Sequence, residues 1–310
     1  MKGLYDTIII GAGASGMTAS IYASRSGMKV GLIEKGLYGG VLHETPLVEN
    51  YTGEIQISGE DLAEKMENHV HAQENIEHIY GDVVSIEKKD SSFKVTLKDS
   101  IIDTKSVVIA TGVKYKKINV TGEDKFEGSG ISNCALCDGM FFKDKHVAVI
   151  GGGDSAVESV EYLSNIVEKV TLVHRRSELK AEKILQDRIS GKDNIEFIWD
   201  ANVELFSGEK NNLDTIGYYK NGELHFLSVD GAFVNIGIEP NTDNFTNLEI
   251  LDEEGFIFTN SNMETRLEGL FAIGDVRSHS IRQVVNATAD GAIVSKAVSE
   301  YLKSRGDSIG

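Results

Sequence analysis

Gly11-Ala12-Gly13-Ala14-Ser15-Gly16 is the stretch that decides how this chain folds. A short apolar run at residues 6–10 precedes it, and a segment with helical periodicity, residues 15–26, follows it. In a G-x-G-x-x-G turn the first glycine allows a tight turn, the second lets backbone approach a pyrophosphate, and the third lets helix pack on strand. A second strand at residues 29–33 ends at Glu34, whose carboxylate can accept hydrogen bonds from an adenosine ribose. Together these features predict a dinucleotide site and disfavour a glycine turn without a ligand.

The second half of the chain repeats this plan with a different charge. Apolar residues 147–150 lead into Gly151-Gly152-Gly153-Asp154-Ser155-Ala156, and a helix and then a strand at residues 170–173 follow. His174-Arg175-Arg176 comes next, at the position that Glu34 holds in the first unit. The position after the second strand of each unit is therefore acidic in the first unit and positively charged in the second.

That difference in charge predicts two different nucleotides. An acid at the end of the second strand suits a free ribose hydroxyl and repels a phosphate, whereas an arginine fork suits a ribose 2′-phosphate. The first turn is therefore predicted to bind ADP-ribose without a 2′-phosphate, and the second turn NADPH. The alternative is that Arg175 and Arg176 form an exposed basic corner after a strand.

The remaining segments complete an α/β pattern. One antiparallel meander is predicted from Tyr80 to Ile102, and another from Val203 to Val229 with Asn221-Gly222 as a type I′ turn. The segment after Asn241, with a long helix at residues 281–302, is too short for a third domain and is expected to return to the first unit. We therefore expect an α/β fold of two Rossmann-like three-layer dinucleotide-binding domains, the second inserted into the first, each with a small antiparallel β-meander.

Cys134 and Cys137 are the only two cysteines of the sequence, and Asp138 follows them. A Cys-x-x-Cys pair can close a disulfide and reopen it, because one thiolate is activated while its neighbour resolves the mixed disulfide. A structural zinc site needs about four ligands, and the sequence has no second cysteine pair, so no metal is expected. Two core cysteines without chemistry would be a competing interpretation, as would a non-enzymatic nucleotide-binding redox sensor. A ferredoxin–NADP reductase would share both glycine turns but lack the dithiol.

Size and charge limit the class of protein further. A length of 310 residues is enough for two domains that each bury a core. The net charge of −17 argues against nucleic acid or an anionic membrane as the main partner. The sequence has neither an apolar run of about 18 residues nor the regions of a signal peptide, so a cytoplasmic protein is expected.

The motifs resemble those of the low-molecular-weight, bacterial-type thioredoxin reductases, in the FAD/NAD(P)-dependent pyridine nucleotide-disulfide oxidoreductase family. The resemblance rests on residues 11–16, 134–139, 151–158 and 174–176, and on Gly274-Asp275 with Arg282-Gln283. It implies a discontinuous FAD domain, residues 1–115 with 245–310, and an NADPH domain, residues 116–244, that holds the redox pair. It further implies a homodimer that passes electrons from NADPH through FAD and the cysteine pair to thioredoxin or a similar small disulfide protein.

The resemblance also implies roles for individual residues. Cys137 would face the flavin, Cys134 would attack the disulfide of the partner protein, and Asp138 would serve as the acid–base group. The residues expected at FAD are Gly11, Gly13, Ala14, Ser15, Gly16, Glu34, Lys35, Gly39, Gly40, Val41, Asn50, Val83, Ala110, Thr111, Gly112, Gly274, Asp275, Arg282, Gln283 and Val284. The residues expected at NADPH are Gly151, Gly153, Asp154, Ser155, Ala156, His174, Arg175, Arg176 and Lys180.

Three positions depart from the pattern of that family. Val41 stands where the family usually has glutamine, Thr52 where it usually has proline, and Lys180 where it usually has arginine. A lysine is a point charge without the fork geometry of a guanidinium, which weakens the preference for NADPH over NADH. A flavoprotein reduced by ferredoxin therefore stays open as an alternative, although both nucleotide motifs are intact.

Overall fold

A computed structural model describes residues 4–45, 48, 50–210 and 212–307 of the chain. The strands β1 to β18 are, in order, Thr7–Ile10, Val30–Glu34, Ile76–Tyr80, Val83–Lys89, Ser92–Leu97, Ile101–Thr104, Val107–Ile109, Val113–Tyr115, Ile131–Ser132, His146–Gly151, Lys169–Val173, Ile195–Ile198, Ala201–Ser207, Thr215–Lys220, Glu223–Ser228, Gly231–Asn235, Ile238–Pro240 and Leu270–Ala272. The helices α1 to α7 are Ala14–Arg25, Gly59–His71, Glu123–Phe126, Ala135–Asp138, Asp154–Leu163, Lys183–Ile189 and Val284–Ser304. Short 3₁₀ turns cover Gly40–Glu44, Gly139–Phe142, Asp243–Leu248 and Gly274–Val276.

Contacts divide the chain into two compact units. The first unit is Met1–Lys114 with Glu239–Gly310, and the second is Tyr115–Ile238. The two crossings between them run side by side, because β8 and β17 pair as a two-stranded ladder. The second unit is therefore inserted into the first, as predicted.

The first unit is built around a parallel sheet with strand order β18-β7-β1-β2-β3. Successive side chains of β1 point to opposite faces, as in any strand. Ile9 enters a core formed with helices α1 and α7, whereas Ile8 and Ile10 enter a core formed with the meander β4-β5-β6. Burial of each such side chain stabilises the fold by about 1.5–3 kcal/mol. The result is three layers, namely helices, parallel sheet and antiparallel meander.

The second unit has the same three layers. Its parallel sheet has strand order β12-β11-β10-β16-β9, and its meander is β13-β14-β15. Val147 and Val149 of β10 pack with helix α5, while Ala148 and Ile150 pack with the meander. Asn221 and Gly222 both have positive φ, as the predicted type I′ turn requires. The predicted fold class is therefore confirmed.

Two expected element boundaries are wrong. Tyr80 belongs to the end of the parallel strand β3, where it pairs with Glu34, and the first meander begins only at Val83. The final helix begins at Val284, with Gln283 as its N-cap, and not at Ile281. The parallel register of β3 with β2 includes Tyr80, and the extended backbone of Gln283 places the start of α7 at Val284.

The second crossing also lies earlier than the predicted boundary at residues 244/245. The Thr111 hydroxyl donates to the Asn241 carbonyl at 2.8 Å, and the Asn241 side-chain amide donates to the Thr111 carbonyl at 2.9 Å. Phe245 is buried in the core that the first unit forms with its meander. The chain belongs to the first unit from Glu239 onwards.

Within the part of the chain that the structure describes, no helix is both long enough and apolar enough to cross a bilayer.

Candidate functional site

The glycine turn after β1 brings strand end and helix start into close contact. Gly11 has φ +104°, and a Cβ there would collide with the Ala110 carbonyl at the end of β7. A Cβ on Gly16 would collide with the Gly11 carbonyl, so helix α1 can approach the strand only because residue 16 is a glycine. Ala110, Thr111 and Gly112 follow β7, so they lie beside this turn at the carboxyl edge of the sheet.

The start of helix α1 has the features of an anion site. Its N-cap residue, Gly13, is extended and provides no side-chain cap. A Cβ on Gly13 would meet no heavy atom within 4 Å among the described residues, so the space above the turn is open. Uncapped first-turn amides and the positive end of the helix dipole favour a phosphate group. The residues present therefore fit the pyrophosphate of a dinucleotide.

Glu34 ends β2 and is bound to the backbone of the turn. Its carboxylate accepts hydrogen bonds from the amide of Ala12 at 2.7 Å and from the amides of Lys35 and Gly36 at 2.8 Å each. These bonds hold the acid beside the glycine turn. The predicted contact with a ribose stays a prediction.

The Gly274–Val276 turn lies against the start of helix α1. A Cβ on Gly274 would come within 2.6 Å of the Ser15 hydroxyl oxygen. The amide of Gly274 donates to the Asp290 carboxylate at 2.9 Å, and the same oxygen accepts from Arg277 at 2.6 Å. Asp290 is 3% exposed and lies on helix α7. The ion pair of Arg277 and Asp290 thus anchors the turn that presents Asp275.

Sequence reasoning missed Arg277 and Asp290. One signal was present, because Asp290 is an acid within the otherwise small and apolar segment 287–295 of a long helix. A buried acid in such a segment needs a partner. The sequence does not show which basic residue lies opposite.

Asp275 is partly buried. Burial raises the pKa of Asp275 to about 6, and the charge of Asp290 also raises it, while Arg282 opposes them. Arg282 itself is exposed, with its guanidinium 5.1 Å from the centre of the Phe256 ring.

The other residues predicted at the flavin lie in three places. Gly39 is bound to the first turn, since its amide donates to the Ala12 carbonyl at 2.8 Å, and Gly40 and Val41 continue from it into a 3₁₀ turn. The Asn50 side-chain amide donates to Gln283 at 2.8 Å, just before Val284 begins helix α7. Val83 is a buried core residue between sheet and meander.

The second glycine turn repeats this geometry in the second unit. Gly151 has φ +154°, and a Cβ there would collide with the carbonyl of Asn235 and lie 2.8 Å from Ala156. Gly153 caps helix α5 without a side-chain bond, and a Cβ on it would meet no described atom within 4 Å. Gly153, Asp154 and Ser155 are exposed. This open helix start also fits a pyrophosphate.

His174 lies beneath this turn. A Cβ on Gly152 would collide with the imidazole ring, which packs edge-on against Trp199 with ring centres 6.4 Å apart. His174 is 7% exposed, and burial lowers its pKa below 6.5, with Arg175 and Arg176 acting in the same direction. The lowered pKa favours the uncharged ring, which packs beneath the turn. Its predicted contact with NADPH stays a prediction.

Positive charge at this corner comes from Arg175, Arg176 and Lys180, which are all exposed. The amide of Lys180 donates to the Gly152 carbonyl at 2.7 Å, so this residue is held beside the turn. The Asp154 carboxylate accepts from the amide of Glu182 at 2.8 Å, which ties the same loop to the start of helix α5.

Cys134 is disulfide-bonded and partly buried in the second unit. Its amide donates to the Ser132 hydroxyl oxygen at 3.0 Å, and its carbonyl accepts from the Asp138 amide at 3.2 Å. The side chain of Cys137, the other cysteine of the sequence, lies outside the described residues. The predicted roles of Cys134, Cys137 and Asp138 stay predictions.

The packing of His174 predicts different effects for two neighbouring glycines. Gly152→Ala should lower the thermal unfolding midpoint, because overpacking against the confined ring costs about 1–3 kcal/mol. Gly153→Ala should lower the midpoint less than Gly152→Ala does, since its Cβ would point into open space. Thermal unfolding by circular dichroism measures both. Equal midpoints for the two variants would contradict this role of the ring.

The raised pKa of Asp275 predicts a pH-dependent effect in the flavin-free protein. The folded chain holds a proton that the unfolded chain releases, so the unfolding free energy falls as the pH rises from 3.8 to about 6. Asp275→Asn should therefore be more stable than the parent at pH 7, by up to about 3 kcal/mol, and this gain should vanish near pH 4. Urea unfolding at several pH values measures it. A gain for Asp275→Asn that is constant with pH would contradict the argument.

Comparisons with known proteins agree with this arrangement. Residues 5–291 match the model of the pyridine nucleotide-disulphide oxidoreductase family. The chain is 41% identical over 308 residues to the thioredoxin reductase of Listeria monocytogenes, which covers 99% of this chain and 96% of that protein. It is 42% identical over 302 residues to the thioredoxin reductase of Bacillus subtilis, with 97% of this chain and 95% of that protein covered.

A solved structure gives the same result. The crystal structure of thioredoxin reductase from Streptococcus pyogenes superimposes with a TM-score of 0.79 at 43% identity and covers 98% of this chain and 100% of that chain. The resemblance predicted from the sequence motifs is thus confirmed. It implies binding of a flavin and a pyridine nucleotide by an oxidoreductase. The chain belongs to the pyridine nucleotide-disulphide oxidoreductase family and, within it, to the thioredoxin reductases.

Proposed function

We propose that this chain is an NADPH-dependent thioredoxin-disulfide reductase with FAD as its resident cofactor. The single observation that supports this most is the placement of Cys134. This disulfide-bonded cysteine lies in the same unit as a nucleotide turn with an exposed arginine pair. The relatives with about 41% identity, named thioredoxin reductases, support thioredoxin as the class of substrate.

The first unit is proposed to hold FAD. The uncapped start of helix α1 would receive the pyrophosphate, and Glu34, already fixed by three amides, would accept from the adenosine ribose. Asp275, on the turn anchored by Asp290, would bond the ribityl region. Arg282 and the Asn50–Gln283 pair would lie near the isoalloxazine.

The second unit is proposed to bind NADPH. The open start of helix α5 would receive the pyrophosphate, and the guanidinium groups of Arg175 and Arg176 would bind the 2′-phosphate. Lys180 adds a point charge beside the turn. When bound, NADPH would supply a hydride, and a flavin in the first unit would supply the two electrons that the disulfide takes up.

The cysteine pair is proposed to connect this supply of electrons to the substrate protein. Two electrons and two protons open the Cys134–Cys137 disulfide to two thiols. The Cys134 thiolate then attacks the substrate disulfide, which forms a mixed disulfide and releases one substrate thiolate. Attack by Cys137 on Cys134 releases the second substrate thiol and restores the disulfide. Asp138 would take up and return protons in these exchanges.

The proposal extends to assembly and compartment. A homodimer in the cytoplasm is the arrangement that the family resemblance implies, with the first unit as the FAD domain and the second as the NADPH domain. Reducing conditions in the cytoplasm suit a disulfide that opens in each turnover. The acidic charge of −17 gives no reason to expect nucleic acid or membrane as a partner.

Anaerobic reduction tests the proposal against the competing functions. The flavin absorbance of the purified protein should bleach when NADPH is added, and thioredoxin disulfide should then be reduced. Cys134→Ser and Cys137→Ser should each abolish thioredoxin reduction while flavin bleaching persists. Bleaching by reduced ferredoxin but not by NADPH would favour the ferredoxin-dependent enzyme. Bleaching without reduction of any disulfide carrier would favour the redox sensor.

The arginine pair predicts the nucleotide preference. Removing both guanidinium groups by Arg175→Ala and Arg176→Ala should raise KM for NADPH by at least about 10- to 100-fold, because the loss of a single charged hydrogen bond already costs about 1.5–3 kcal/mol. KM for NADH should change less than threefold. Arg188→Ala, at an exposed arginine of the same unit that pairs with Glu161, is the matched control and should leave both constants unchanged. An equal rise of both constants in the double variant would contradict a 2′-phosphate site.

A further inference from the structure

The strand order of the second unit brings the redox pair to the same sheet edge as the nucleotide turn. β16 lies between β10 and β9, and the three strands are parallel. Their carboxyl ends therefore meet at one edge. β10 ends in the glycine turn, β9 leads into Asn133 and Cys134, and β16 ends with Asn235 between them.

Asn235 makes a direct bond to the segment that holds Cys134. Its side-chain Nδ2 donates to the carbonyl of Asn133 at 2.9 Å. That carbonyl belongs to the peptide group that joins Asn133 to Cys134. The amide of the same peptide group donates to the Ser132 hydroxyl at 3.0 Å. The peptide before the disulfide is thus held at both of its polar atoms.

The backbone of Asn235 is itself confined. Asn235 pairs with Gly151 in the sheet register, and the two are so close that a Cβ on Gly151 would collide with the Asn235 carbonyl. A strand end packed in this way offers little freedom to the side chain that leaves it. The backbone of Asn235 is therefore fixed, so its side chain can restrain the segment of Asn133 and Cys134.

The second polar atom of Asn235 argues against a purely structural role. Its Oδ1 is buried and has no hydrogen-bond donor among the described residues. A buried acceptor without a partner costs about 1–3 kcal/mol. Leucine has a similar size and would avoid that cost, in a strand whose preceding residues 232–234 are all apolar. Stability alone therefore does not explain an asparagine at this position.

We propose that Asn235 is a positioning residue for the redox pair, which holds the peptide before Cys134 in the geometry that the disulfide requires. Opening of the disulfide takes two electrons and two protons and gives two thiols. Closure needs both sulfur atoms in a narrow range of distance and angle. A segment fixed by Asn235 keeps the thiols closer to that geometry, which favours the disulfide over the dithiol. The inference rests on the proposed function only in that this disulfide is the one that turns over.

The redox equilibrium of the disulfide measures this role. The full-length protein with its bound flavin is equilibrated in mixtures of reduced and oxidised dithiothreitol, which supply or accept the two electrons and two protons. Free protein thiols are then trapped with iodoacetamide and counted by mass spectrometry. Asn235→Leu should shift the equilibrium constant about three- to tenfold toward the dithiol, as expected for the loss of one hydrogen bond. A tenfold shift corresponds to about 30 mV for a two-electron couple.

Asn194 provides a matched control. Its side-chain amide also donates to a backbone carbonyl of the second unit, that of Ser164 at 2.8 Å. It precedes β12 at the amino edge of the same parallel sheet, opposite the redox pair. Asn194→Leu should leave the redox equilibrium unchanged. Asn235→Ala serves as a second variant, and it should shift the equilibrium in the same direction as Asn235→Leu.

The outcomes separate this inference from the proposed function. Equilibrium constants of both Asn235 variants within twofold of the parent would overturn the inference, as would an equal shift in Asn194→Leu. A parent protein that does not reduce thioredoxin with NADPH would overturn the proposed function, but a shift confined to the Asn235 variants would still support the positioning role.

Discussion

The close approach of a helix to the end of a parallel strand is the constraint on which both units depend. In the first unit, Gly11 and Gly16 meet where a Cβ on either would collide with backbone, and Gly151 repeats this contact in the second. This contact directs the uncapped starts of α1 and α5 over the carboxyl edges of their sheets. The parallel strand order then brings the ends of three neighbouring strands to the same edge. Both proposed nucleotide sites follow from this geometry.

Buried polar groups hold the segments that would contact the ligands. Asp290 anchors the Gly274–Val276 turn, and the His174 ring packs beneath the second glycine turn. A buried carboxylate is costly unless its partners are in place, so the bonds of Asp290 restrict its turn to one conformation. Asn235 fits this pattern at the redox segment. The exposed charges, Arg175 and Arg176, are left to determine which nucleotide binds.

The sequence determined the fold class and the kind of each site. Three local features carried this information: the glycine spacing, the paired strand–turn–helix units, and the opposite charges at Glu34 and Arg175. Each reflects either a close approach of the backbone or the charge of the group to be bound. Periodicity also predicted both meanders. Tyr80 was assigned to the meander although it belongs to β3, because an aromatic residue at a strand end suits a parallel sheet and a meander equally. The Cys-x-x-Cys spacing at Cys134 indicated redox chemistry for the same local reason.

Only the tertiary structure decided which residues support those sites. Asp290 meets Arg277 and Gly274 because α7 returns to the first sheet, and Asn235 meets Asn133 because β16 lies beside β9. No local sequence pattern predicts these pairings. The partners are far apart in the sequence, and the packing that brings them together depends on the whole unit. The burial that lowers the pKa of His174 likewise arises from contacts outside β11, with Gly152 and Trp199. Local sequence thus specified the chemistry of the sites. Long-range packing specified the side chains that hold the site residues in position.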